Sequence, residues 1–597
     1  MGGAVEAEYE RRMAAAQAEF ARAQLWEGRF RWAALASAVL AVVVLDKGAG
    51  YAHEVALLVA VVVAGLAMLG MMLWSREREF RTARLAALYE RALMRLRGEA
   101  VSAEVDGERL APQGHLYARD LNVVGKDSLF ERLATMRTAV GQRGLARLLL
   151  EPATAMEARA RQAAVQELAV RMDLRESVAM LGRFKFEDVP AERFEDWLGM
   201  ERSGFPGWMH GVLLLTTAGW VAAIVVGLVL KMDSTVVWQN VGLALLVQGL
   251  VCWRVRAKVV AELEAAQKLL GQTAILREGL KVLRAQSFGA ERLQQLQREA
   301  EGEDAALKRL ERQLAVVEQR PKEWAYVFSL VFALGTHAAI SLDARKREFD
   351  EPMRRWLAAW GEFEALLALG TYAAEHAQCC WPEILDEGGE IAVFEAEGLW
   401  HPLLPAGAAV ANDVALGEGV RFLLVSGSNM AGKSTLLRAM GVGAVMALAG
   451  APVAAKKLRT GALRVGASLA IVDALGEGKS KFLAEVERLK AMVELAREHR
   501  GDGLFLIDEI LSGTNSVDRR AAAESVLRSL VEAGAVGAIS THDLTLASIA
   551  EEPGLQGVNV HMASAEEDDP LAFDYVLKAG VNTTTNAMAI VRMLGLG

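Results

Sequence analysis

Residues 421–440, RFLLVSGSNMAGKSTLLRAM, constrain the fold more than any other stretch of the chain. Phe422 to Val425 are four successive apolar residues, the pattern of a strand buried on both faces. The strand runs into Gly427-x-x-x-x-Gly432-Lys433-Ser434 and then into a helical run from Thr435. Strand, glycine loop and helix in this order make a phosphate-binding loop. Glycines let backbone N–H groups turn toward a polyphosphate, and the new helix offers its positive end. Lys433 reaches the terminal phosphates and Ser434 can ligate Mg²⁺. Ser428, Asn429, Met430, Ala431 and Thr435 complete the cradle. A nucleoside triphosphate, ATP with Mg²⁺, is the expected ligand.

Downstream, LFLIDEI (Leu504–Ile510) is an apolar strand ending in two acids. Asp508 is placed to hold the Mg²⁺ shell and Glu509 to orient and activate an attacking water. LSGTNSVDRR (Leu511–Arg520) follows as a small polar loop opening a helix. Its small residues suit either close approach to a phosphate or partner subunit, or a plain connection. STHD (Ser540–Asp543) follows the next strand, and His542 is a candidate sensor of the terminal phosphate. Strands alternating with helices from about residue 397 predict an α/β ATPase domain over 397–597.

Two apolar hairpins set a second constraint. The first joins Trp32–Leu45 to Val55–Trp74, and the second joins His210–Leu230 to Val236–Trp253. Three of these segments approach the ~20 residues that cross a bilayer. The shorter first one needs Phe30 and a snorkelling Arg31. Trp32, Trp74, Trp208, Trp238 and Trp253 mark segment ends, as interfacial aromatics do. Arg29, Arg31, Arg76, Arg78, Arg81, Arg254, Arg256 and Lys258 flank the hairpins, whereas the connecting loops carry only Lys47 and Lys231. The positive-inside rule then predicts a multi-pass protein of the cytoplasmic membrane, with both termini and the ATPase domain in the cytoplasm and lipid as a partner. The charged helical run 1–29 is unlike a cleaved basic leader. A further apolar run, Trp324–Leu342, reads as a buried or interfacial helix, because one extra crossing would move the phosphate loop to the other side. Hydrophobic residues at 53% beside 24% charged residues agree with membrane segments joined to soluble domains.

The expected organisation is a cytoplasmic N-terminal helix (1–29), hairpin 1 (30–75), a helical region (76–207), hairpin 2 (208–254), a second helical region (255–396) and the ATPase domain. Glu291–Arg320 has amphipathic helical spacing, broken near Gly302. Net charge is −9, which leaves no broad basic field for nucleic acid. Cys252, Cys379 and Cys380 have no metal-ligand spacing and read as buried reduced thiols.

Taken together, these segments resemble the MutS family of DNA mismatch repair ATPases, within the wider ABC-type class. The resemblance is carried by Trp400-His401-Pro402 and Asn412-Asp413 ahead of the phosphate loop, SGSNMAGKSTLLRAM, and VGASLAIVDALGEGKSKFLAEVERL. DEILSGTNSVD, STHD and FDYVLKAGVNTTTNAMAIVRMLG add to it. Leu121–Leu168 resembles the start of that family's helical lever domain. The resemblance covers about 119–200 and 350–597. It implies that Gly427, Asn429, Gly432, Lys433, Ser434 and Thr435 hold phosphate and Mg²⁺. It further implies that Asp508 organises the metal, that Glu509 is the general base and that His542 is the switch residue. Two ATPase domains would face each other as a homodimer, with Ser512, Gly513, Thr514, Asn515 and Ser516 completing the partner's site in trans. ATP would then drive movement of the lever helices.

Ser428 and Ala431 stand where the family has proline and glycine, and Lys481 and Leu483 where it has threonine and methionine. No N-terminal mismatch-reading segment or C-terminal dimerisation extension is recognised. The expected function is therefore a membrane-anchored MutS-like ATPase, with DNA binding implied by the family and weak or absent base-mismatch reading. An ABC-type transport ATPase is one alternative, although an LSGGQ-type signature is missing and Gln239, Asn240 and Gln248 are the main polar residues of the hairpins. A membrane ATPase that remodels a protein partner without DNA is another.

Overall fold

The computed structural model describes residues 2–46, 52–99, 106–181, 204–267, 270–301, 331–405, 407–428, 430–469, 481–512, 516–563 and 573–582. The chain divides into two compact units. One comprises Met1–Ala134, Leu148–Met180 and Leu369–Gly597, and the other Thr135–Arg147 and Leu181–Ala368.

The first unit is built on a six-stranded sheet. Its strands are β4 (Phe422–Ser426), β6 (Arg464–Ser468), β7 (Gly503–Asp508), β8 (Val536–Thr541), β9 (Gly557–His561) and β10 (Lys578–Ala579), in the order β10-β9-β4-β8-β7-β6. All neighbours are parallel except the edge pair β9 and β10. β4 and β8 are buried at every residue, which explains their unbroken apolar reading. A helix, α12 (Lys433–Ala449), lies against the sheet, with Leu437, Met440 and Ala447 fully enclosed. Phe422, Leu424, Phe505, Ile507 and Ile539 pack with Leu489 and Met492 of α13 (Lys481–Glu498) and Leu527 of α14 (Ser516–Glu532).

A smaller sheet, in the order β1-β5-β2-β3, joins Glu383–Ile384, Lys457–Thr460, Phe394–Leu399 and Asn412–Leu416. The α/β part therefore begins before residue 397: β1 is only two residues long, and its backbone pairs with β5, seventy-odd residues downstream, so no local apolar pattern marks it.

Hairpin 1 also belongs to this unit. Its helices α1 (Gly2–Asp46) and α2 (Ala52–Leu96) each run unbroken through the apolar stretch and well beyond it. No proline interrupts either, so apolar and charged portions share one helix each. At the base of the hairpin, Tyr9 packs on Tyr89, and Glu375 accepts hydrogen bonds from Tyr9 (3.3 Å) and Arg95 (2.8 Å). Arg12 pairs with Glu176 at 2.8 Å, and Tyr89 also donates to Glu176. Glu176 sits on α6 (Met172–Ala179), which follows α5 (Ala155–Ala169). Short α3 (Leu129–Leu133) precedes them.

The second unit is helical. α4 (Ala139–Leu150) begins in it. α7 (Trp208–Val229) and α8 (Ser234–Gln267) form hairpin 2, and α9 (Leu270–Arg284) and α10 (Glu291–Glu299) pack on α11 (Leu334–Glu375). α4 and α11 cross so closely that a Cβ on Gly144 would lie 2.2 Å from the Gly361 carbonyl oxygen. Arg292 of α10 makes a two-point ion pair with Glu362 at 2.6 and 2.5 Å. Among the described residues, four helices, α1, α2, α7 and α8, are long and apolar enough to cross a membrane by length and composition. Of the run Trp324–Leu342, residues 324–330 lie outside the described residues, and Leu334–Leu342 open α11. The three cysteines are free and half-buried, not fully buried as the sequence predicts.

Candidate nucleotide site

The site forms at the carboxyl ends of β4, β7 and β8. After β4 the chain leaves for the far side of the sheet and returns strand by strand through β6, β7 and β8, so β4 and β8 bound the crevice where the winding reverses. Strand register does the alignment. Ser540 lies opposite both Val425 and Asp508, which brings the phosphate loop and the acid pair to one level.

The loop's backbone requires its glycines. Gly427 has φ 146° and Gly432 has φ 96°, conformations that L side chains rarely adopt. A Cβ on Gly427 would also sit 2.3 Å from the Met562 carbonyl oxygen. Lys433 begins α12 and is buried, with Nζ donating to the Gly427 and Ser428 carbonyls at 2.9 Å each. Burial lowers the pKa of this amine, against the opposing pull of Glu509 and Asp508. Ser428 Oγ is buried with no partner among the described residues, an acceptor-donor left over inside the cradle. Ala431 is buried, Met430 projects outward, and Thr435 is half-buried in the first turn of the helix. Asn429 lies outside the described residues.

Ser434 Oγ donates to Asp508 Oδ2 at 2.5 Å, and Ser540 Oγ donates to the other oxygen, Oδ1. A hydroxyl and a carboxylate in contact at the strand ends are hard oxygen ligands of the kind Mg²⁺ takes. Glu509 follows in a left-handed conformation, φ 55°, with its N–H held by the Ser540 carbonyl at 3.0 Å. Its carboxylate meets His542 Nδ1 at 2.5 Å. Orphaned Ser428 Oγ, the two positive-φ glycines and the Ser434–Asp508 contact together fit a triphosphate and its metal. Lys433, Ser434 and Asp508 would hold them, and the bound group would supply the phosphoanhydride to be cleaved. Glu509 is placed to take a proton from water at its carboxylate, and His542 to steady that carboxylate.

Ser512 is exposed at the end of the acid-pair loop; Gly513, Thr514 and Asn515 lie outside the described residues, and Ser516 opens α14. Several supporting residues escape the sequence reading. Arg519 donates to the Leu511 and Ser512 carbonyls (3.1 and 3.2 Å) and pairs with Asp543 at 3.3 Å, which ties the loop after Glu509 to the loop bearing His542. Hydrogen bonding from Thr545, aided by Arg519, depresses the Asp543 pKa. Buried Glu485 accepts from Leu511 N–H at 2.6 Å. Asn412 holds the chain at Tyr575 O and Leu577 N (3.0 and 2.7 Å), and a Tyr575 ring carbon lies 3.0 Å from where a Cβ on Gly432 would be. His401 is buried, which with the nearby Arg438 charge lowers its pKa to about 4 and keeps it neutral. The resemblance marks His401 and Asn412 without their partners, and no motif announces the ties made by Arg519 and Glu485.

Comparison with known proteins agrees with this geometry. Residues 423–597 match MutS domain V. The chain is 38% identical over 205 residues to Endonuclease MutS2 of Thermus thermophilus, covering 34% of this chain and 26% of that protein. It is 30% identical over 298 residues to DNA mismatch repair protein MutS 2 of Halobacterium salinarum (49% and 32%). It is 31% identical over 246 residues to DNA mismatch repair protein MutS of Methanothrix thermoacetophila (40% and 27%). The chain thus spans less than a third of the length of each of these relatives. Its C-terminal part is a MutS-type P-loop ATPase domain.

Proposed function

We propose that this chain, carrying a MutS-type ATPase domain, hydrolyses ATP with Mg²⁺ at a bilayer surface and uses the cycle to move its helical parts. The observation that carries the reading is the constellation at the strand ends: Lys433 in the loop, Ser434 against Asp508, and Glu509 against His542. Anchoring by four helices is supported by the exposure of their apolar residues, such as Trp32 at 68%, Leu215 at 74% and Leu228 at 75%. An exposed apolar surface of that extent is unfavourable in water and favourable in lipid.

The relatives' names make DNA the first ligand to test, and a homodimer with Ser512–Ser516 reaching the partner's nucleotide is the assembly to look for. In this reading the terminal phosphate is felt at His542 and Glu509. The change passes through Arg519 to the loop after the acid pair, because one guanidinium holds both loops.

The test is an ATPase assay of the full chain in lipid nanodiscs, alone and with matched, mismatched and branched duplexes. The reading expects Mg²⁺-dependent hydrolysis that is lost in Glu509→Gln. Stimulation by branched or plain duplex without preference for a mismatch would fit a membrane-held DNA ATPase. A protein and not DNA as the stimulant would move the proposal to partner remodelling. Hydrolysis absent under all conditions would refute the ATPase reading.

A further inference from the structure

We propose that residues 331–342 are a fifth membrane-embedded element, a re-entrant segment that packs against hairpin 2 and leaves the bilayer on the face where it entered. The proposal rests on the reading that α7 and α8 cross a membrane. All the residues that argue it lie in the second unit.

The contacts fix depth along hairpin 2. His337 Nδ1 lies 3.3 Å from His210 Nδ1, and Thr336 Oγ1 donates to Cys252 Sγ at 3.5 Å. His210 and Cys252 stand at the Arg-flanked end of the hairpin, beside Trp208 and Trp253. Five residues earlier, Phe332 packs edge-on against Trp220, with ring centroids 5.1 Å apart. Trp220 is ten residues along α7 from His210, so about 15 Å deeper at the 1.5 Å rise of a helix. That is about half of a ~30 Å hydrocarbon layer. The segment therefore lies deep at Phe332 and shallow at His337.

The backbone at that depth needs help, and hairpin 2 supplies it. Helical structure is interrupted at Phe332 and Ala333, where Ala333 has φ 50°. A break leaves carbonyls unpaired, which hydrocarbon does not tolerate unless protein groups satisfy them. Gln248 Nε2 donates to the Val331 carbonyl at 2.7 Å, and its Oε1 accepts from Thr216 and Thr217 at 3.4 and 3.3 Å. Gln248 is 2% exposed, so this amide faces the segment and not lipid. A polar residue that had no role in the apolar pattern thus has one here: it pairs an interrupted backbone inside the membrane.

Both flanks lie on one side. Downstream, α11 continues into DARKREFDEPMRR, a charged run incompatible with hydrocarbon. Upstream, the Glu301 carbonyl accepts from Trp356 Nε1 of α11 at 3.4 Å. Trp356 is 19 residues beyond His337, about 28 Å further along the helix by the same rise. The chain is outside the membrane at Glu301, inside at Phe332 and outside again on the same side at Glu351. A re-entrant segment keeps the number of crossings even, so it adds membrane contact without moving the ATPase domain to the other face.

Single cysteines in a background lacking Cys252, Cys379 and Cys380 test this in sealed vesicles holding the full chain. Asp233→Cys, in the loop between α7 and α8, reports on the hairpin itself. Glu301→Cys and Glu351→Cys report on the flanks, and Leu334→Cys, whose side chain is 42% exposed, reports on the segment. The expected result is labelling of Glu301→Cys and Glu351→Cys by an impermeant maleimide from one side, and of Asp233→Cys from the other. Labelling of Leu334→Cys should be at least about tenfold slower from either side, because a thiol in hydrocarbon stays protonated. A bimane at Leu334→Cys should be quenched by lipids brominated in the acyl chain. Labelling of Glu301→Cys and Glu351→Cys from opposite sides would overturn re-entry in favour of a crossing. Fast labelling of Leu334→Cys without quenching would place the segment outside the bilayer. Asp233→Cys reacting from the same side as the flanks would instead refute the spanning hairpin on which the proposal rests.

Discussion

Polar side chains crowd the ends of β4, β7 and β8, whereas along α7 and α8 the buried Gln248 stands among apolar residues. The difference lies in what each group is left free to do. At the strand ends the pairs are provisional: Lys433 holds backbone carbonyls, and Ser434 holds Asp508, in contacts that a phosphate and a metal ion would replace. Gln248 is committed on both ends of its amide, to Thr216 and Thr217 through Oε1 and to the Val331 carbonyl through Nε2. One region stores unsatisfied chemistry and the other removes it, so a substitution in one should move a readout that the other leaves alone.

The largest separation is expected from Glu509→Gln. The amide cannot take a proton from water, so turnover should fall by about 10²–10⁴ while ATP affinity and membrane retention stay the same. Equal turnover in the variant, measured by phosphate release, would remove Glu509 as the base. Next comes Glu375→Ala at the base of hairpin 1. It would leave the Arg95 guanidinium buried without its carboxylate and cost about 3 kcal/mol. Chemical denaturation in detergent would read the loss; an unchanged midpoint would mean the network around Tyr9 does not fasten the hairpin.

A pH experiment separates the helical unit from the nucleotide site. Glu364 is fully enclosed on α11 and meets Thr138, and burial pushes its carboxyl up to about 7 from an ordinary 4.5. The folded state then holds the proton longer than the unfolded chain. Its contribution is complete below pH ~4.5 and is lost as pH rises through about 7, by up to about 3 kcal/mol. Glu364→Gln should flatten that slope in unfolding titrations. A slope that survives in the variant would assign it to another group. Lys433→Ala, acting only at the site, should weaken ATP binding by about 10–100-fold, the weight of a charge-assisted hydrogen bond, without changing the Glu364 slope.

The sequence was most legible where function needs a local pattern. Gly427, Gly432, Lys433 and Ser434 are read in one window, since a loop that wraps phosphate must be contiguous. Asp508 and His542 follow because the first ends an apolar strand and the second comes directly after one. The small sheet's first strand was not legible, because β1 is two residues paired to a distant β5. Nor was the Tyr9–Glu375 contact, whose partners are 366 residues apart. The tight crossing of Gly144 on Gly361 was equally hidden: both glycines sit in ordinary helical backbone, so only the neighbouring helix shows why a Cβ is excluded. Gln248 was visible as a polar residue in an apolar span, but its role depends on a break at Ala333 that propensity does not announce.

The smallest effect is expected from Gln248→Leu. Interhelical hydrogen bonds in lipid are worth about 0.6 kcal/mol on average and up to about 2, because an unfolded segment in the bilayer finds partners too. Leucine also restores apolar packing, but it leaves the Val331 carbonyl without its donor where water is scarce. The net loss should therefore be about 1 kcal/mol. ATP affinity and turnover should be unchanged, since the hydrogen bonds of this amide go to Thr216, Thr217 and Val331. Gln248→Glu is the informative companion. Protonated, the acid can donate once to the Val331 carbonyl and still accept from Thr216 and Thr217, so its cost should lie below that of leucine at low pH and grow with pH as ionisation in hydrocarbon is penalised. If both variants changed turnover as much as Glu509→Gln does, the separation between a site that holds chemistry in reserve and a hairpin that has spent it would fail.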